Sequence, residues 1–97
     1  MAEKRIKLQA RVSSNNPLAI KSVLERIVGD NGSIKQTADG FEVKAELKGK
    51  TARDLNRMLL SELRRVEKKT RLRTEWTFGG ATEKFFDYAH KATVKAT

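Results

Sequence analysis

Three stretches of the chain alternate apolar and polar residues with period two, so each can bury only one face and needs a cover on that side. In KRIKLQARV, Ile6, Leu8, Ala10 and Val12 fall on one side, and Arg5, Lys7, Gln9 and Arg11 on the other. FEVKAELK places Phe41, Val43, Ala45 and Leu47 together, opposite Glu42, Lys44, Glu46 and Lys48. TRLRTEWTF does the same with Leu72, Thr74, Trp76 and Phe78 against Arg71, Arg73, Glu75 and Thr77. A shorter strand, SIKQT, precedes the second of these, and Asp39-Gly40 between them is expected to turn a hairpin through positive φ.

Two helical patterns supply the cover. PLAIKSVLERIV has Asn16 placed as N-cap and Pro17 at the first helical position, where its missing N–H costs nothing. Its apolar stripe is Ile20, Val23, Leu24 and Ile27, and GDNG ends it. The second helix lies in ARDLNRMLLSELRRVEKK, capped by Thr51 with Asp54 in its first turn. Ala52, Leu55, Leu59, Leu63 and Val66 form its stripe, with Met58 and Leu60 beside it.

The order β-α-β-β-α-β implies an α+β fold. The expectation is a two-layer βαββαβ sandwich of the ferredoxin-like kind, with antiparallel sheet order 4-1-3-2, formed by residues 1–78 as one domain. Residues 79–97 form a C-terminal extension ending in a flexible stretch. Its composition fits a third helix from about Ala81 to Lys91, with Phe85, Tyr88 and Ala89 on one side. Gly79-Gly80 can instead turn a hairpin and make EKFFDY a fifth strand beside RTEWTF. The helix is the preferred reading. On either reading Phe85, Phe86 and Tyr88 seal the core or the open sheet face, or dock a second subunit.

The 97 residues carry a net charge of +9. That charge is unevenly spread. Residues 1–12 have four Lys/Arg against one Asp/Glu, residues 13–49 have five of each, residues 50–78 have nine against four, and residues 79–97 have three against two. In the expected fold the basic segments gather in one half of the molecule. Arg53, Arg57, Arg64 and Lys68 make one stripe on the second helix. Arg5, Lys7, Arg11, Arg71 and Arg73 point from the open face of the sheet. Cations crowded in this way repel until phosphates neutralise them with release of counterions. These nine residues are the candidate nucleic-acid contacts, with RNA the expected partner ahead of DNA.

RNA-recognition sheets carry exposed aromatics on their central strands, on which bases stack. Here the outward residues of the central strands are charged or amide, with Phe41 on the buried side, so contact with phosphates is expected rather than base stacking.

No reaction is legible. There is no cysteine, which excludes disulfides, thiolate metal ligands and a thiol nucleophile. GKT at 49–51 resembles the end of a phosphate-binding loop, but Lys44 stands where that motif needs its first glycine. His90 is the single histidine and reads as a solvated tail residue. Trp76 shares the parity of Leu72 and reads as core. The expectation is therefore a non-enzymatic protein with no cofactor and no metal. No apolar run reaches the ~18 residues of a membrane span, and the N-terminus lacks a secretory signal core, so a cytoplasmic protein without membrane contact is expected.

The alternative function is a dimerising assembly subunit, as a homodimer or within a larger complex. Over roughly residues 5–70, the outline of strand, helix, hairpin and long amphipathic helix is similar to the small dimerising subunit of the KEOPS tRNA-modification complex.

Overall fold

The fold, from a computed structural model that describes residues 3–95, runs β1 (Lys4–Ser13), α1 (Pro17–Val28), β2 (Gly32–Gln36), β3 (Gly40–Gly49), α2 (Ala52–Val66), β4 (Arg71–Phe78), β5 (Ala81–Phe86) and β6 (Ala89–Lys95). The strands form one sheet in the order β2-β3-β1-β4-β5-β6, and every neighbouring pair is antiparallel. The expected four-strand, two-layer βαββαβ ferredoxin-like sandwich with order 4-1-3-2 is therefore not what forms. The tail causes the difference. Gly79 and Gly80 both take positive φ, 60° and 81°, as a two-residue hairpin turn of type I′ requires. They send the chain back along β4, which becomes an interior strand, and β6 becomes the edge.

The expected third helix over 81–91 is replaced by β5 and β6. Asp87 makes the second turn possible. It holds φ at +54°, a conformation that Asp tolerates better than most residues. Its carboxylate accepts the Leu72 backbone N–H at 2.9 Å, and its own N–H donates to Leu72 O. The flexible end expected after the extension is strand as far as Lys95; residues 96–97 lie outside the described part of the chain.

Both helices lie on one face of the sheet and pack on each other as well as on it. The core between them is built from the alternating positions: Ile6, Leu8, Ala10 and Val12 from β1, Phe41, Val43 and Leu47 from β3, and Leu72 and Trp76 from β4. The helices add Ile20, Val23, Leu24 and Val28 from α1 and Leu55, Leu59, Leu60 and Leu63 from α2. Phe85 of β5 joins the same core at 3% exposure. Val66 and Phe78, expected inside, are half exposed because they end α2 and β4.

Thr51 caps α2 as its sequence position implies, accepting the Asp54 N–H at 3.1 Å. Asn16 makes no side-chain cap to α1; Pro17 and the Asn16 carbonyl start that helix instead. Gly40 does not adopt positive φ. It is needed for a different reason: a Cβ there would lie 1.8 Å from the Val12 carbonyl oxygen, where β3 closes on β1.

Three polar residues are buried among the described residues, Asn56, Thr70 and Thr74, and Asn56 makes the most connections. Asn56 of α2 is 1% exposed, its amide donates to the Asp87 carbonyl at 2.8 Å, and its carbonyl accepts from Thr74 Oγ1 and from Trp76 Nε1 at 3.2 Å. It ties α2, β4 and the β5–β6 turn together, with no buried side-chain polar atom left unpartnered among the described residues.

Candidate nucleic-acid interface

The face of the sheet opposite the helices is bare, and strand register lays its side chains out in rows. One row runs Glu42, Arg11, Arg73, Phe86, Ala89 across β3, β1, β4, β5 and β6. The next runs Lys44, Gln9, Glu75, Lys84, Ala92, and a third Glu46, Lys7, Thr77, Thr82, Val94. Over the first two rows lies an open trough of about 470 Å³ whose lining includes Arg11, Lys44, Arg73, Lys84, Phe86 and Lys91. A register shift between Lys84 and Phe85 lets Lys91 reach this trough.

The five expected sheet-face cations are all here, but they are not equivalent. Arg5 is 3.7 Å from Glu46 and Arg11 is 3.0 Å from Glu42. These are exposed pairs, worth only about 0–1 kcal/mol each, which a phosphate can displace. Arg71 is 3.0 Å from the Asp87 carboxylate, and Lys7 and Arg73 have no carboxylate within 4 Å among the described residues. Arg11 and Arg73 stand directly opposite each other on adjacent strands, a like-charge arrangement that costs stability.

The four helix-side candidates are on the other side of the sheet. The two basic surfaces read from the sequence, one on α2 and one on the open sheet, thus face opposite ways on the half of the molecule built by β1, α2 and β4. Arg53 and Arg57 line a separate cleft of about 300 Å³ with Asn56, Tyr88 and His90. Arg64 is a structural residue: its side chain is 29% exposed, Nε donates to the Thr70 carbonyl at 3.0 Å, and the guanidinium lies 3.6 Å from Asp87 and over the Tyr88 ring. Lys68 falls in the turn after α2 and does not extend the stripe.

Lys44, Lys84, Lys91 and Phe86 line the same open face and are not among the nine candidates read from the sequence. Three of them belong to the tail read as a helix. A signal was present: taken as a strand after Gly79-Gly80, TEKFFD puts Thr82, Lys84 and Phe86 on one face. The tail aromatics all find partners within the chain. Phe85 seals the core and meets His90 edge-on at 5.1 Å, Tyr88 shares a hydrogen bond with Ser61, and Phe86 lies half-buried under Arg71 and Arg73. His90 is exposed, as its tail position implies, with Glu83 3.7 Å away.

Among the described residues, no three His, Cys, Asp or Glu side chains sit together as a metal site would need, and no helix is long and apolar enough to cross a membrane. No protein family, curated protein or solved structure matches this chain. The likeness to the KEOPS small subunit thus rests on element order alone.

Proposed function

We propose that this is a nucleic-acid-binding protein, directed at RNA before DNA, that acts by binding and not by catalysis and uses the open sheet face. One observation carries the reading. Lys7, Lys44, Arg73, Lys84 and Lys91 share that face with only Glu42, Glu46 and Glu75, and none of the five has a carboxylate within 4 Å among the described residues. A folded protein gains nothing from such crowding, whereas a polyanion gains counterion release at each contact. Gln9, between Arg11 and Lys7, adds a neutral donor and acceptor that a ribose 2′-hydroxyl can meet.

The two basic faces make the test selective. A protein with Arg73, Lys84 and Lys91 all changed to Glu loses RNA binding in a filter or anisotropy assay, while one with Arg53, Arg57 and Lys68 changed to Glu stays within about three-fold of the parent. The opposite ranking would move the interface to the helices. RNA and DNA strands of one sequence, compared in the same assay, test the order of preference.

A further inference from the structure

We propose that Phe86 and the Arg73 guanidinium form a stacking surface for an unpaired base, so that the open face takes single-stranded rather than duplex nucleic acid. This rests on the nucleic-acid reading above and names its substrate class. It also departs from the expectation of phosphate contact without stacking, because the aromatic sits on β5, a strand that the central-strand pattern does not include.

Phe86 is paired in register with Arg73 and faces away from the helices, while its neighbour Phe85 enters the core. The Arg73 guanidinium carbon is 4.9 Å from the ring centroid and that of Arg71 is 5.1 Å. The two arginines differ in their ties. Arg71 is fixed by its 3.0 Å bond to Asp87, whereas Arg73 has no carboxylate partner and is exposed. Arg73 is free to swing aside or to remain as the upper layer. Either way the Phe86 ring is the platform: the base stacks on it directly, or on the guanidinium that the ring backs. Arg11 and Lys91 flank the pair in the same trough, where they can hold the backbone on either side of a stacked base.

Duplexes cannot use this surface. From Arg11 on β1 to Lys91 on β6 the face crosses three strand spacings, roughly 14 Å at about 4.8 Å each. That is wider than the ~12 Å major groove of B-form DNA, and the A-form major groove is narrower still. The A-form minor groove is wide and shallow, but its bases stay stacked on one another, so a duplex would offer the face phosphates, 2′-hydroxyls and base edges and no free base to stack on Phe86.

The experiment compares an oligouridine RNA of about twelve nucleotides, a strand of equal length built from abasic riboses, and an RNA duplex, each against the parent protein, Phe86→Leu and Phe86→Trp. The parent binds oligouridine about ten-fold more tightly than the abasic strand. Phe86→Leu removes that margin and leaves abasic binding unchanged. Phe86→Trp keeps the margin, and oligouridine but not the abasic strand quenches the new surface indole; this holds the test open if the leucine variant does not fold. Equal affinity for oligouridine and abasic strands, or a Phe86→Leu variant that keeps the margin, overturns the stacking surface while leaving phosphate binding in place. Failure of all three nucleic acids to bind overturns both readings.

Discussion

Replacing Asn56 with Leu tests how the surface that carries Phe86 is held. The change keeps the branched shape but adds bulk at a site 1% exposed, and deletes the amide. Three hydrogen bonds go: those from Thr74 Oγ1 and Trp76 Nε1, and the one to the Asp87 carbonyl. The Thr74 hydroxyl can rotate, and the Asp87 carbonyl is near enough to the surface to find water. Trp76 is 1% exposed, so its N–H is stranded. An orphaned buried donor costs about 1–3 kcal/mol, and each lost net hydrogen bond about 1 kcal/mol. The extra apolar burial of Leu returns about 1 kcal/mol. The net loss is about 3 kcal/mol, a large share of the roughly 5–15 kcal/mol that holds such a domain together.

Urea unfolding followed by emission of Trp76, the single tryptophan, measures it. The midpoint falls with little change in slope. In the double variant with Thr74→Val the losses do not add, and the coupling is about 1 kcal/mol because both groups meet the same amide oxygen. A loss under about 1 kcal/mol with additive behaviour would refute the buried hub.

Two glycines separate steric from conformational cost. Gly40→Ala drives a Cβ into the Val12 carbonyl and is expected to cost at least about 3 kcal/mol, whereas Gly79→Ala meets nothing within 4 Å and loses about 1 kcal/mol through its φ of +60°; equal thermal shifts would contradict this. Arg64→Ala removes the bonds to Thr70 and Asp87, lowering stability by about 1–2 kcal/mol in urea unfolding while leaving RNA affinity within about two-fold; a larger binding loss than stability loss would return Arg64 to the interface.

Much of the frame was legible because period two and period 3.6 are local signals. Ile6 to Val12 name the buried side of β1 without reference to any other strand, and Thr51 with Asp54 marks the start of α2. The tail was not legible in the same way. Phe85, Tyr88 and Ala89 fit a helical face, and only pairing with β4 makes them strand and turn. Strand preference of this kind is set by the neighbour more than by the segment itself. Asn56 was invisible for a related reason: a polar residue beside an apolar stripe normally faces solvent, and its partners come from β4 and the β5–β6 turn. Asp39-Gly40 reads locally as a turn pair, whereas the use of Gly40 is close approach to the Val12 carbonyl, which only the pairing of β3 with β1 reveals. The separation of the helix stripe from the sheet-face cations was legible from parity; the structural use of Arg64 was not, because the hairpin that broadens the open face also brings Asp87 and Tyr88 over the Arg64 end of the α2 stripe.

The salt dependence of RNA binding tests the central claim most directly. Five cations on the open face without carboxylate partners, Lys7, Lys44, Arg73, Lys84 and Lys91, give a slope of log K against log salt of about −3.5 for a single strand. Affinity for oligouridine RNA then falls about 100-fold between 50 and 200 mM salt, and the slope drops by about 2 when Arg73, Lys84 and Lys91 are changed to Gln, which removes their charges without reversing them. A slope near zero, or one that those three substitutions leave unchanged, would contradict the account.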